Sequence, residues 1–171
     1  MNHELLFKEH SDYCFFLKKF EEYVLPEVAL ISYSLMPTHF HLLIQPMAPN
    51  EVTLKAMTRF LISFSKSMNG KYKRHGSLLQ NRTKSRVIEF DDYLSSVINY
   101  IHQNPVAAKL CSQPGDWKFS SYNAIVGNGP TRVAREDVIE WFGGIDRFIE
   151  YHAVNRDNHW VDQFHFGTRT S

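Results

Sequence analysis

With 171 residues, 43% hydrophobic and 14% aromatic, the chain suits one domain with a real core and is not a disordered polymer. Its net charge of +1 excludes little, but its two cysteines, Cys14 and Cys111, exclude a disulfide framework and a CxxC metal pair. No stretch reads as a signal peptide or as a membrane span, so the expected setting is the cytoplasm with no membrane partner.

Ser11 is placed to cap a first helix beginning at Asp12, on which Tyr13, Phe16, Leu17, Phe20 and Val24 recur at helical spacing. Lys18, Lys19, Glu21 and Glu22 fill its other face, and Pro26 stops it. Residues 28–35 read as a strand, Met36-Pro37-Thr38 as a turn and residues 39–45 as a second strand, so the pair forms a hairpin. A second helix spans about 53–73, with Leu54, Met57, Leu61, Phe64 and Met68 as its apolar stripe. A loop, a short strand at 85–90 and a third helix follow, the last capped by Asp91 or Asp92 and ended by Pro105. Leu94, Val97, Ile98 and Ile101 form its core face. Two short helices broken at Gly143-Gly144 come next, and the tail from Asn155 carries no assignment. Helix, strand, strand, helix, strand, helix is a split β-α-β order whose first strand is missing.

Charge is unevenly spread. Between Val52 and Ile88 there is no Asp or Glu, while Lys55, Arg59, Lys66, Lys71, Lys73, Arg74, Arg82, Lys84 and Arg86 all fall there. A one-sign block inside a folded chain is the footprint of a polyanion, and the competing account is a solvated helix face plus a basic loop.

The stretch "MPTHFHLLIQP" sets His39 and His41 on one face of a strand, with Phe40, Leu42 and Ile44 on the other. Two adjacent imidazoles can hold one cation with positions left open, as a catalytic metal site does; they can also be packed or hydrogen-bonded in a half-buried sheet. On the third helix Tyr100 and Asn104 are one turn apart and share a face with Tyr93. Tyr100 is either an amphipathic edge residue or a nucleophile, and Asn104 offers the hard amide oxygen that Mg²⁺ or Mn²⁺ accepts.

"MPTHFHLLIQP", "TKSRVIE", "DYLSSVINYIHQNPVAAKL" and "DWKFSSYNAI" together resemble the REP-associated tyrosine transposases, which belong to the HUH single-tyrosine transposases of insertion-sequence type. The likeness runs from about Asn2 to His152, and "YIHQNPV" followed by W-x-x-S-S-Y is its most specific part. The resemblance implies His39, His41 and Asn104 as metal ligands, Tyr100 as nucleophile and a divalent metal, Mg²⁺ or Mn²⁺, as cofactor. It assigns His102 no metal role. It implies cleavage and rejoining of single-stranded DNA at hairpin-flanked sites through a 5′-phosphotyrosine, by a monomer or homodimer. The basic block then supplies phosphate contacts, and Phe64, Tyr72 and Trp117 are candidate stacking rings that compete with places in the core.

The expected architecture is α+β: a ferredoxin-like antiparallel sheet with helices on one face, lacking its first strand, with a small C-terminal helical extension. Residues 1–125 form the HUH transposase-like domain, 126–154 the extension and 155–171 a tail. Without the first strand the outer edge of the histidine strand needs another partner, such as the tail or a second chain. Two other functions remain open: a catalytically inactive or domesticated hairpin-DNA-binding protein, and a metal-dependent phosphohydrolase with water as nucleophile.

Overall fold

The computed structural model describes residues 5–76, 78–79, 85, 87–88 and 94–154. Half of the strand expected at 85–90, the capping residues Asp91 and Asp92, Tyr93, and the tail from Asn155 lie outside these residues. The chain forms α1 (His10–Tyr23), a 3-10 turn (Leu25–Glu27), β1 (Val28–Met36), β2 (His39–Pro46), α2 (Asn50–Lys71) and α3 (Leu94–Ala107). A second 3-10 turn (Pro114–Asp116), α4 (Tyr122–Val126), α5 (Arg135–Phe142) and α6 (Ile145–Ala153) follow. The fold is α+β, a two-stranded antiparallel sheet with helices, consistent with a ferredoxin-like plan. No helix among the described residues is long and apolar enough to cross a membrane.

α1 is capped by Glu9 rather than Ser11. Asp12 sits at the third helical position and accepts the backbone N–H groups of Lys8 (2.8 Å) and Glu9 (3.1 Å). Its carboxylate is fully buried because Lys71 Nζ (2.6 Å) and Tyr72 Oη (2.7 Å) also donate to it. Burial pushes this carboxyl up, but the hydrogen bonds from Lys71, Tyr72 and the backbone together hold it below its ordinary value. The cluster clamps the start of α1 to the end of α2.

In the hairpin, Met36 pairs with His39, Ser34 with His41 and Ser32 with Leu43 on one face, while Leu35 pairs with Phe40 on the other. The register shifts between Leu30 and Ser32, so Ile31 is an extra residue, a bulge that reverses the alternation along β1. α1 and α2 pack on the Phe40 face: the Phe16 ring lies 4.8 Å from Phe40, 4.9 Å from Phe60 and 5.1 Å from Phe64. α3 lies against the other face, where Ser32 Oγ is 3.1 Å from His102 Nε2. Helices therefore cover both faces of the sheet, not one. β1 presents buried Ser32 and Ser34 toward α3, and side chains this small let the helix approach the backbone.

The outer edge of β1 is covered by the W-x-x-S-S-Y stretch. The Leu35 N–H donates to Phe119 O (2.8 Å), the Ser121 N–H to Tyr33 O (2.9 Å) and the Ala134 N–H to Leu30 O (2.8 Å). Trp117 Nε1–H donates to Leu35 O (3.0 Å). Isolated bridges pair Ser34 with Ser120 and Leu30 with Val133. Among the described residues β2 pairs only with β1.

Two helices differ from their sequence reading. The buried stripe of α2 is Thr53, Ala56, Phe60, Phe64 and Met68, and Leu54 is 61% exposed. Spacing alone does not choose between the two phases; the contacts of Phe60 with Phe16 and Phe20 do. α3 runs through Pro105 to Ala107 instead of stopping at the proline. At the expected break between α5 and α6, Gly143 adopts φ +76°, and a Cβ there would meet the Arg147 side chain. Val138, Phe142 and Phe148 of these helices join the same buried cluster as Phe16 and Phe60.

Candidate active site

β2 carries His39 and His41 on the face turned to α3, because the two-residue turn Pro37-Thr38 fixes its register against β1. The imidazole centroids are 5.0 Å apart with planes at 88°. Thr38 Oγ1 lies 3.0 Å from His39 Nδ1. α3 brings the Tyr100 ring to 5.7 Å from the His41 ring, nearly perpendicular at 77°. His39 is exposed and His41, Tyr100 and Asn104 are half-buried, with His41 Nε2 itself buried.

Asn104, one turn beyond Tyr100, donates its Nδ2–H to the Tyr100 carbonyl at 2.8 Å. That bond fixes the amide orientation and leaves Oδ1 as its ligating atom. Two imidazoles sharing one ion at metal–nitrogen distances of ~2.1 Å have centroids roughly 4.5–5.2 Å apart for cis angles of ~90–110°. The observed 5.0 Å fits that range. Among the described residues no third His, Cys, Asp or Glu joins the pair. Asn104 stands one helical turn from Tyr100, and a divalent ion held by the two imidazoles would complete its shell with further oxygen donors such as water and substrate oxygens.

The basic residues are distributed differently. Lys55, Arg59 and Lys66 are exposed on the side of α2 opposite its buried stripe. They project away from the sheet on the Phe40 side, so the fold does not bring them to the His39, His41 and Tyr100 group. Lys71 turns inward to Asp12 and Glu9, whose hydrogen bonds hold its ammonium well above the usual lysine range. Its charge is thereby compensated within the chain. Lys73 is exposed, with φ +49° just past α2, and the Arg74 backbone N–H donates to Asn69 O. Arg82, Lys84 and Arg86 lie outside the described residues.

Of the candidate stacking rings, Phe64 is fully buried. Tyr72 belongs to the Asp12 clamp, and Trp117 braces β1 with its ring 6.5 Å from that of Tyr13.

The sequence reading missed the role of His102. It is wholly buried, with Nε2 2.7 Å from Ser121 Oγ and Nδ1 2.9 Å from His152 Nε2. Its spacing of four from Ile98 was the available signal, since that places it on the buried side of α3. Burial comes first in lowering the His102 pKa well below the ordinary histidine value, with the His152 ring adding to it.

No family model, no curated protein and no solved structure matches the chain.

Proposed function

We propose that the chain is a metal-dependent tyrosine transposase of the HUH single-tyrosine kind, acting in the cytoplasm as a monomer or homodimer on single-stranded or hairpin DNA of REP-element type. The observation that carries this reading is the meeting of three side chains from two distant elements: the His39 and His41 rings 5.0 Å apart, and the Tyr100 ring 5.7 Å from His41. A pair of imidazoles beside a half-buried phenol is the equipment for attack on a phosphodiester.

In the proposed reaction Tyr100 Oη attacks phosphorus, the bond from phosphorus to the 3′-oxygen breaks, and a 5′-phosphotyrosine forms. The phenol proton is lost and the departing 3′-oxygen takes up a proton. Rejoining runs the same exchange with the 3′-hydroxyl as nucleophile, so no nucleotide cofactor is consumed. His39, His41 and Asn104 Oδ1 would hold Mg²⁺ or Mn²⁺. Bound there, the ion supplies Lewis-acid polarisation of the scissile phosphate. Lys55, Arg59 and Lys66, on the far layer, are proposed to meet phosphates of the duplex part of a hairpin that reaches around the molecule.

The test is a denaturing gel of the full chain mixed with Mn²⁺ and hairpin-bearing single strands from its genomic flank, labelled at the 5′ or 3′ end. A protein-linked 3′-labelled product that vanishes in Tyr100→Phe is the expected result. Hairpin binding with no adduct would replace this reading with the non-catalytic binding protein. Cleavage that persists in Tyr100→Phe but fails in His41→Ala would replace it with the phosphohydrolase.

A further inference from the structure

Ser32, His102 and Ser121 are fully buried and His152 is 3% exposed, yet these four form a closed hydrogen-bond chain. Its direction follows from the Phe148 carbonyl at its end, which can only accept. His152 Nδ1 lies 2.8 Å from the Phe148 carbonyl, so Nδ1 carries the hydrogen and Nε2 is an acceptor. His102 Nδ1, 2.9 Å from that Nε2, must donate. His102 Nε2 is then an acceptor and takes the Ser121 hydroxyl hydrogen at 2.7 Å. Ser32 Oγ, 3.1 Å from the same nitrogen and 3.2 Å from Ser121 Oγ, is a second donor within reach. Ser121 Oγ in turn accepts the Tyr33 N–H at 2.9 Å.

Serine, histidine and a third group in a line is the connectivity of a nucleophilic relay. Ser121 has no exposed surface, however, so no substrate reaches its oxygen. The chain's geometry serves another purpose. It runs from α6 through α3 to the W-x-x-S-S-Y stretch and β1, and it crosses α3 two residues after Tyr100.

We propose that His102 is a positioning residue: fastened to α6 by His152 and to the sheet by Ser121 and Ser32, it fixes the rotation of α3 and thereby the place of Tyr100 against His41. The proposal rests on the reading of Tyr100 as nucleophile for its functional meaning. Apolar contact is non-directional and permits a helix to roll, whereas these hydrogen bonds hold only within narrow distances and angles. A roll of ~10° moves a side-chain atom ~6 Å from the helix axis by ~1 Å. A misplacement of that size can cost a reaction ~100-fold.

The test uses the full chain labelled with fluorotyrosine, the Tyr100 signal being assigned by its loss in Tyr100→Phe. Ser32→Ala and Ser121→Ala each leave one hydroxyl able to reach His102 Nε2; the double variant leaves none. The double variant is expected to shift or broaden the Tyr100 fluorine signal. It should also lower the adduct rate at saturating single strand by about 10–100-fold with unchanged DNA affinity. Asp12→Asn, on the other layer, is expected to lower the melting temperature and leave the Tyr100 signal in place. A double variant that melts lower yet keeps the wild-type Tyr100 signal and rate overturns the proposal. If the double variant does not fold, His152→Leu, which removes the only acceptor of His102 Nδ1–H and so its fastening to α6, is judged by the same two readouts. If the wild-type chain forms no adduct, the transposase reading falls and the fluorine signal alone decides: unmoved, it overturns the positioning role; moved, it upholds it.

Discussion

Behind the Phe40 face of the sheet, Phe7, Phe16, Phe20, Phe60 and Phe64 interlock, most of them edge to face, whereas behind the His41 face two histidines and two serines are buried among aromatic rings. The first layer is held by area and shape. Such packing supplies much stability but specifies the rotation of a helix loosely, and hydrophobic side chains of similar volume can often replace one another in it. The second layer includes directional bonds, each of which leaves an unmet buried group when broken. The face that carries His39, His41 and Tyr100 is thus the one whose helix is indexed by hydrogen bonds, and the opposite layer serves as ballast.

The comparison can be broken most forcefully at Phe16, which is fully buried and touches Phe7, Phe40, Phe60 and Phe64. Phe16→Ala is expected to lower the unfolding free energy by about 3–5 kcal/mol in urea melts. The Tyr100 ring environment in the molecules that remain folded should be unchanged. A Tyr100 signal that moves with this substitution would show that the two layers are not separable.

A smaller effect comes from pH and belongs to the other layer. Burial comes first in lowering the His152 pKa to about 4, against an ordinary value of 6.5, and the hydrogen bond to the Phe148 carbonyl opposes the shift. Between those values the unfolded chain binds a proton that the folded chain refuses, so stability rises with pH across the window. The contribution is whole above about pH 6.5 and falls by up to about 1.4 kcal/mol per pH unit as pH drops toward 4. Urea melts from pH 7 to 4.5 measure the slope, and His152→Leu should reduce it, with buried His102 supplying what remains. A wild-type slope already flat in this range would mean that His152 is not held neutral.

The smallest effect sharpens the contrast at the surface. Replacing Lys55, Arg59 and Lys66 together by Gln is expected to leave the affinity of a short single strand within about twofold at 0.15 M salt, because these charges lie a helix layer and the sheet away from Tyr100, beyond a Debye length of ~8 Å. A hairpin with a long duplex stem should lose about 2–3 from the slope of log affinity against log salt, close to 0.9 for each phosphate contact removed. Equal losses for both ligands, measured by salt titration, would place the stripe on the same path as the single strand.

Much of the hairpin was legible in the sequence because strand alternation and a Pro-containing turn are local signals. They placed His39 and His41 side by side and Phe40 toward the core, and the structure agrees. The helix break at Gly143-Gly144 was legible for the same reason. The phase of α2 was not, since two stripes of equal spacing compete and only the rings of α1 choose between them. Pro105 misled the reading because proline usually ends a helix, whereas here α3 continues for two residues beyond it. The part of His102 was out of reach for a deeper reason. Its partners stand 19, 50 and 70 positions away, and no window on one element contains them.

Sequence distance also sets a timetable. The outer edge of β1 is covered by Phe119, Ser121 and Ala134, and Ser121 stands 88 positions after the Tyr33 it binds. At ~5–20 residues per second, a ribosome that has released Tyr33 needs about 4–18 s to release Ser121. A β-hairpin forms in ~1–10 μs, so through that interval the nascent hairpin carries an uncovered backbone edge. Crowding of nascent chains or a slow codon run between the hairpin and Ser121 would lengthen that exposure, and the yield of folded protein would fall with no change in any contact of the finished fold.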